Sequence, residues 1–227
     1  MKRVFLLFCI LFSWASILKA QTDSDFELWL KMGGKVDLGE KWRLDFEEQI
    51  RFDENVGAVK NYHTEAEINF KASKNLDLVF VPRFIRRNDN SGDTQGYENL
   101  IRFQIGGKFE HESGQFEFKH RLLFQHRNQM GVKKNEGDVP EKFLRYKLNT
   151  QYKIKDWKYD PEFSVEYFQP IDNDLVNTNK SIRFGIGTER DYDQFGEFGI
   201  DYMIDLSLGL AIREVAHILS FKYTYSF

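Results

Sequence analysis

The chain has 227 residues and a formal net charge of -3, with 30% charged and 16% aromatic residues, 22 Phe and only 4 Pro. This near-neutral balance, without a Lys/Arg-rich block or a stacking motif, excludes nucleic acid as a partner, and the single cysteine, Cys9, excludes an internal disulfide. Charged and aromatic residues at these levels must be interleaved along the chain, and the length suits one domain.

Residues 1–20 read as a cleavable export signal. Lys2 and Arg3 give a basic start, Val4–Trp14 an apolar run, and Ile17-Leu18-Lys19-Ala20 a short exit, with cleavage expected after Ala20. The apolar run is shorter than the ~20 residues a spanning helix needs, and Cys9 leaves with it. No later stretch is long and apolar enough to cross a bilayer as a helix. If residues 21–227 sit in a membrane, they cross it as strands.

From Gln21 onward apolar or aromatic residues recur at every second position over stretches of about ten residues, the length a tilted strand needs to cross a bilayer. The first sets Phe26, Leu28, Leu30 and Met32 against Glu27, Trp29, Lys31 and Lys35. The second sets Trp42, Leu44, Phe46, Ile50 and Phe52 against Arg43, Asp45, Glu47, Gln49 and Arg51. Tyr62–Phe70, Leu76–Phe84, Tyr97–Phe109, Phe116–Phe124, Leu144–Ile154, Trp157–Tyr167, Ile182–Thr188, Phe198–Leu206 and Leu219–Phe227 complete eleven readable segments. Short connections (Asp37–Lys41, Lys71–Asn75, His111–Gly114, Lys155-Asp156, Asp191–Gly196) alternate with longer ones (Asp53–Lys60, Arg87–Gly96, Asn128–Glu141, Gln169–Lys180, Ser207–Glu214). The pattern predicts an all-β, antiparallel up-and-down transmembrane barrel of ten to twelve strands, twelve being favoured because bacterial single-chain barrels close with an even count.

Charges on the polar face suggest registers, since opposite charges across strands stabilise by ~0.2–1 kcal/mol and like charges oppose pairing. Folding the first hairpin about Gly39 sets Lys31 opposite Glu47 and Glu27 opposite Arg51. The fifth and sixth segments, folded at His111–Gly114, set Lys108 opposite Glu117; the seventh and eighth set Lys147 opposite Glu166 and Lys153 opposite Asp160. Trp42, Tyr62, Tyr97, Trp157, Tyr159 and Tyr223 near segment ends resemble an interfacial girdle. The apolar face is therefore expected to meet outer-membrane lipid and lipopolysaccharide.

The ending Phe221-Lys222-Tyr223-Thr224-Tyr225-Ser226-Phe227 resembles the terminal signal of outer-membrane proteins. That resemblance implies recognition of Phe221, Tyr223, Tyr225 and Phe227 by periplasmic chaperones and the barrel-assembly machinery. More widely, Phe26-Glu27-Leu28-Trp29-Leu30, the stretch Lys41–Phe52 and Lys142-Phe143-Leu144-Arg145-Tyr146 resemble an uncharacterised domain-of-unknown-function family of small Gram-negative outer-membrane barrels, over Phe26–Phe227. The resemblance implies a place in the outer membrane and carries no catalytic motif.

Chemistry-bearing residues are sparse. His120 interrupts the apolar face, opposite Ile105 in the register above and beside Leu148, with no Ser partner for a hydrolytic site. His120 and His126 are separated by about 20 Å along one strand face and cannot share a metal. Asp89, Asn90 and Asp93 do not match the spacing of a calcium loop. No catalytic residue, metal or cofactor is expected.

The polar face carries the functional signal. Arg102, Lys108, Lys119, Arg121, Arg127, Arg145, Lys147 and Lys153 make one side basic, and Asp160, Glu162, Glu166, Glu189, Glu197, Asp201 and Asp205 make the other acidic. Opposed walls would orient small hydrophilic or charged solutes in a narrow, porin-like channel, with Arg102, Arg121, Arg145, Lys147, Glu166, Asp201 and Asp205 lining it. In a narrow barrel the same side chains would instead close the lumen with ion pairs. That leaves a structural or adhesion barrel acting through its loops, above all Asn128–Glu141. A lipid-modifying enzyme built on His120 is the third reading.

Overall fold

A computed structural model describes residues 22–89, 95–132, 140–171, 180–209 and 213–227. The expected export signal, Asn90 and Asp93, and residues 133–139 of the longest loop lie outside the described residues. Eleven strands form: β1 (Thr22–Leu38), β2 (Trp42–Asp53), β3 (Ala58–Lys71), β4 (Leu76–Asp89), β5 (Gly96–Ser113), β6 (Phe116–Gln129), β7 (Glu141–Tyr152), β8 (Pro161–Pro170), β9 (Lys180–Asp191), β10 (Glu197–Leu208) and β11 (Arg213–Ser226). They close into one barrel in which sequence neighbours pair antiparallel and β1 pairs with β11.

An odd count forces one parallel pair, and β1 and β11 supply it, in register from Thr22↔Arg213 to Lys35↔Ser226. The count is therefore eleven, inside the expected range and one short of the favoured twelve, with parity met by a parallel seam instead of an extra strand. Trp29, Met203 and Ile218 pack together on the inner side of this seam. At its end the Phe227 amide donates to the Lys35 carbonyl at 3.0 Å. The seam also puts Thr22 and Ser226 at opposite ends of the barrel. Thr22 lies at the end where β2, β4, β6, β8 and β10 finish, the loop end; Ser226 lies at the turn end, with connections 39–41, 72–75, 114–115, 153–160 and 192–196.

Alternation in the sequence becomes alternation in burial, with polarity inverted relative to a protein folded around a dry core. On β3, Asn61, His63, Glu67 and Asn69 are buried inside while Tyr62 and Ile68 are exposed outside. Leu30, Phe80, Ile105, Leu122, Phe184 and Ile200 likewise face outward. Besides the seam cluster, the buried apolar side chains that pack together are Val79, Val81 and Leu123.

Registers depart from the charge-based expectation where turns dictate otherwise. The first turn begins with Gly39 at φ +80, instead of centring on it. Lys31 thereby falls opposite Gln49, and Arg51 opposite Trp29. Gly114, at φ +62, leads a two-residue turn between Ser113 and Phe116, as Gly does in tight hairpins. This carries Lys108 to Arg121 and leaves Glu117 opposite Glu112. In the β7–β8 hairpin Lys147 does pair with Glu166. Lys153 lies in the turn and reaches Glu112 at 2.6 Å and Glu117 at 2.8 Å, in place of Asp160.

Two irregularities act on the interior. A bulge between Arg51 and Phe52 of β2 and their β3 partners skips Lys60, whose ammonium reaches Glu27 inside the barrel at 2.5 Å. The β3–β4 ladder is interrupted at Ala66 and Glu67, where Pro82 on β4 offers no N–H. Strands β3, β10 and β11 reach further than the sequence suggested, β3 starting at Ala58, β10 ending at Leu208 and β11 starting at Arg213, and β8 starts at Pro161, which leaves Trp157 and Tyr159 in a longer turn.

Candidate functional site

Every strand sends alternate residues into the lumen, and many are ionised groups that need partners in so enclosed a space. On the β3–β6 side the registers align like charges. Arg83, Arg102 and Arg127 lie side by side on β4, β5 and β6; Lys108, Arg121 and Lys147 do the same on β5, β6 and β7. Such rows are self-repelling unless carboxylates intervene. Glu65, opposite Arg83 on β3, pairs with Arg83 and, at 3.0 Å, with Arg102. Glu141 pairs with Arg127 at the other end of that row. Glu67 serves the second row, pairing with Lys108 and, at 2.6 Å, with Arg121. Lys108 also donates to Asn69 Oδ1 at 2.8 Å.

On the β8–β10 side opposite charges alternate directly, Glu166 facing Arg183 and Arg183 facing Asp205. Glu166 accepts from Arg145 Nη2 at 2.6 Å and Nε at 3.1 Å, and lies 3.7 Å from Arg183, which also pairs with Asp205. The Arg183 guanidinium sits 5.0 Å from the Phe168 ring and 5.1 Å from that of Trp29, so it links β8 and β9 to β1 through the lumen. Arg51 packs 3.6 Å from the same Trp29 ring. Cation–π contacts of this kind contribute ~0.5–2 kcal/mol each. Trp29 Nε1 donates to Glu27 at 2.7 Å. Gln125 joins the two sides, accepting from Arg145 at 2.9 Å and from Gln104 at 2.8 Å.

Space remains above and below this layer. A cavity of about 450 Å³ at the loop end is lined by Asp23, Asp25, Glu27, Lys60, Asp205 and Glu214. One of about 400 Å³ opens at the turn end beside Arg43, Lys71, Asp77 and Lys108. A smaller one, about 200 Å³, lies inside next to Lys35, Glu47, Glu65, Glu67, Arg121 and Lys222. In the β7–β8 turn, hydrogen bonds to Glu112 and Glu117 push the Lys153 ammonium pKa up.

The structure places most of the lumen residues picked from the sequence in ion pairs, several of them with carboxylates of β3. Arg102 and Arg121 are held by Glu65 and Glu67 of β3, while Arg145 and Glu166 hold each other on neighbouring strands. Lys147 lies opposite Glu166, Asp205 pairs with Arg183, and Asp201 projects beside Gly187, where an added Cβ would come within 2.2 Å of its Oδ1. Sequence reasoning missed Glu65, Glu67, Arg83 and Arg183. The first two fall on the polar positions of Tyr62–Phe70, so alternation alone could have flagged them.

Outside the lumen, His120 faces outward opposite Phe109 and Leu148, not Ile105, with its ring nitrogen 2.8 Å from the Tyr146 hydroxyl and its ring stacked 5.3 Å from His111. Glu48 is also exposed on the outer face, between Met32 and Thr64. Phe221 and Tyr225 face outward near the turn end, where Phe227 stacks 6.1 Å from Phe46. Among the described residues no group of three or more His, Cys, Asp or Glu is placed to hold a metal ion.

The sequence model of a family described as a protein of unknown function (DUF2490) matches residues 26–207. No curated protein and no solved structure matches the chain.

Proposed function

The chain belongs to the DUF2490 family of proteins of unknown function, and from that premise we propose that it is an outer-membrane barrel closed at mid-height by its own ion pairs. It acts at its loops and outer wall, without passing solute and without catalysis. The apolar outer wall supports the membrane part of this reading. Exposing Leu30, Phe80, Ile105 and Leu122 to water forfeits about 25 cal/mol per Å² of apolar surface, whereas lipid accommodates them. The basic and apolar start of the sequence fits export, and the aromatic ending from Phe221 to Phe227 fits delivery by the barrel-assembly machinery.

The observation that carries the closed lumen is the sharing of Glu65 and Glu67 among Arg83, Arg102, Lys108 and Arg121. The carboxylate side chains keep only 14% and 10% of their surface exposed, where a water-filled bore would leave them hydrated. Purified protein in planar bilayers is expected to give no unitary conductance steps. Discrete steps from the unaltered chain would overturn the closed reading and favour the second one, a narrow channel for small polar solutes, which the cavities at both ends support. In that case Arg121→Ala should change ion selectivity.

A further inference from the structure

The geometry points to a phospholipid-binding site on the outer wall at the turn end, in which Arg190 holds the lipid phosphate and a groove across β9, β10, β11 and β1 holds an acyl chain. The inference rests on the outer-membrane reading. Its floor is the outward row Thr188–Ile200–Phe221–Leu30, continuous across four strands by register. Phe198 and Tyr223, 4.9 Å apart, border it toward the turn end. Tyr159 and Tyr192, from the two flanking turns, help enclose a groove of about 430 Å³.

Arg190 is the outward-facing cation of this groove, Lys31 and Lys222 lying on inward positions of β1 and β11. Its guanidinium lies 4.8 Å from the Tyr159 ring and 4.3 Å from the Tyr192 ring, and its Nη1 donates to the Tyr159 hydroxyl at 2.5 Å. The two hydroxyls are 3.2 Å apart. Among the described residues no carboxylate pairs with Arg190, in contrast to the lumen arginines 83, 102, 145 and 183. A cation fixed in orientation by two phenols, with no carboxylate paired to it among the described residues, suits a phosphodiester; the apolar side chains of the floor beside it suit a hydrocarbon chain. A free anion would use the first feature and leave the second exposed.

A second outward arginine on a tyrosine among the described residues shows what such a site excludes. Arg86 lies 4.6 Å from the Tyr97 ring at the loop end, but its groove is also lined by Glu48, whose charge would repel a phosphate.

The full chain in mild detergent, incubated with dioleoyl phosphatidylethanolamine and examined by native mass spectrometry, should retain one lipid. Retention should fall about tenfold in Arg190→Gln, recover in part in Arg190→Lys and stay unchanged in Arg86→Gln. Equal retention by Arg190→Gln and the unaltered chain overturns the site. Equal retention of dioleoylglycerol overturns the phosphate contact, and displacement by inorganic phosphate shows an anion site without a lipid. Insertion into phosphatidylcholine liposomes, read by flotation, is scored separately. A chain that does not insert overturns the outer-membrane reading beneath the proposal; one that inserts but retains lipid no better than Arg190→Gln overturns the site alone.

Discussion

The two sides of the lumen solve one electrostatic problem differently. On the β8–β10 side Glu166, Arg183 and Asp205 alternate across adjacent strands, so each charge finds its opposite in the next strand. On the β3–β6 side the registers stack cations, and neutrality depends on Glu65 and Glu67 reaching along and across the lumen. The first arrangement is redundant, because Arg183 has two carboxylates and two aromatic rings around it. The second is concentrated: each β3 carboxylate serves two cations. Removing a β3 carboxylate should therefore cost far more than removing an anion on the β8–β10 side.

The largest effect is expected from Glu65→Gln combined with Glu67→Gln. Both replacements keep shape and remove charge, leaving Arg83, Arg102, Lys108 and Arg121 without their carboxylates in a confined layer. Breaking one buried pair typically costs about 3–5 kcal/mol, so unfolding in urea from detergent micelles should shift by at least that much. Any folded fraction should conduct with anion selectivity, since repelled guanidinium groups would draw apart and admit counterions. A shift below about 1 kcal/mol, the usual value of an exposed pair, would mean that water already reaches this layer and that the contrast between the two sides is false.

This dependence explains what could be read from the sequence. Strand existence and facing were legible, because alternation is repeated in every segment and a one-residue slip would turn the whole apolar set inward. Trp29 was correctly placed on the polar face, although nothing local shows that Arg51 and Arg183 pack against it. Registers were less legible, because a single cross-strand charge pair contributes only ~0.2–1 kcal/mol, less than the turn geometry imposed by Gly39 and Gly114. Lys147 opposite Glu166 could be found, whereas Lys108 opposite Arg121 could not, since a rule that rewards opposite charges rejects it. The contact from Glu67 to Arg121 spans β3 to β6 and is invisible to any single hairpin. Parity argued for twelve strands, and only closure reveals the parallel β1–β11 seam.

A smaller effect is expected from Asp205→Asn. Arg183 would keep Glu166 at 3.7 Å and its packing against Trp29 and Phe168. Arg183 donates to Asp205 from both Nε and Nη2, and the loss should be about 2 kcal/mol, the scale of hydrogen bonding between charged groups with the remaining partners intact. Unfolding under the same conditions as the β3 double variant gives the comparison directly. A loss as large as that of the double variant would show that redundancy does not protect the β8–β10 side and that Arg183 is held chiefly by Asp205.

The smallest effect should come from Glu141→Gln, which removes an anion from the same row of arginines that Glu65 serves. Among the described residues Glu141 pairs with Arg127 alone, and the two side chains keep 25% and 26% of their surface exposed, against 14% and 10% for Glu65 and Arg83. Greater exposure brings screening, so about 0.5 kcal/mol should be lost at low ionic strength and less at high salt. Separate Glu65→Gln and Glu141→Gln variants, each unfolded at two salt concentrations, divide the row into a salt-insensitive centre and a salt-sensitive edge. Equal losses from the two would mean that the three arginines respond as one charge to whichever carboxylate is nearby, and the closure of the lumen would then be a property of the row instead of its β3 anchor.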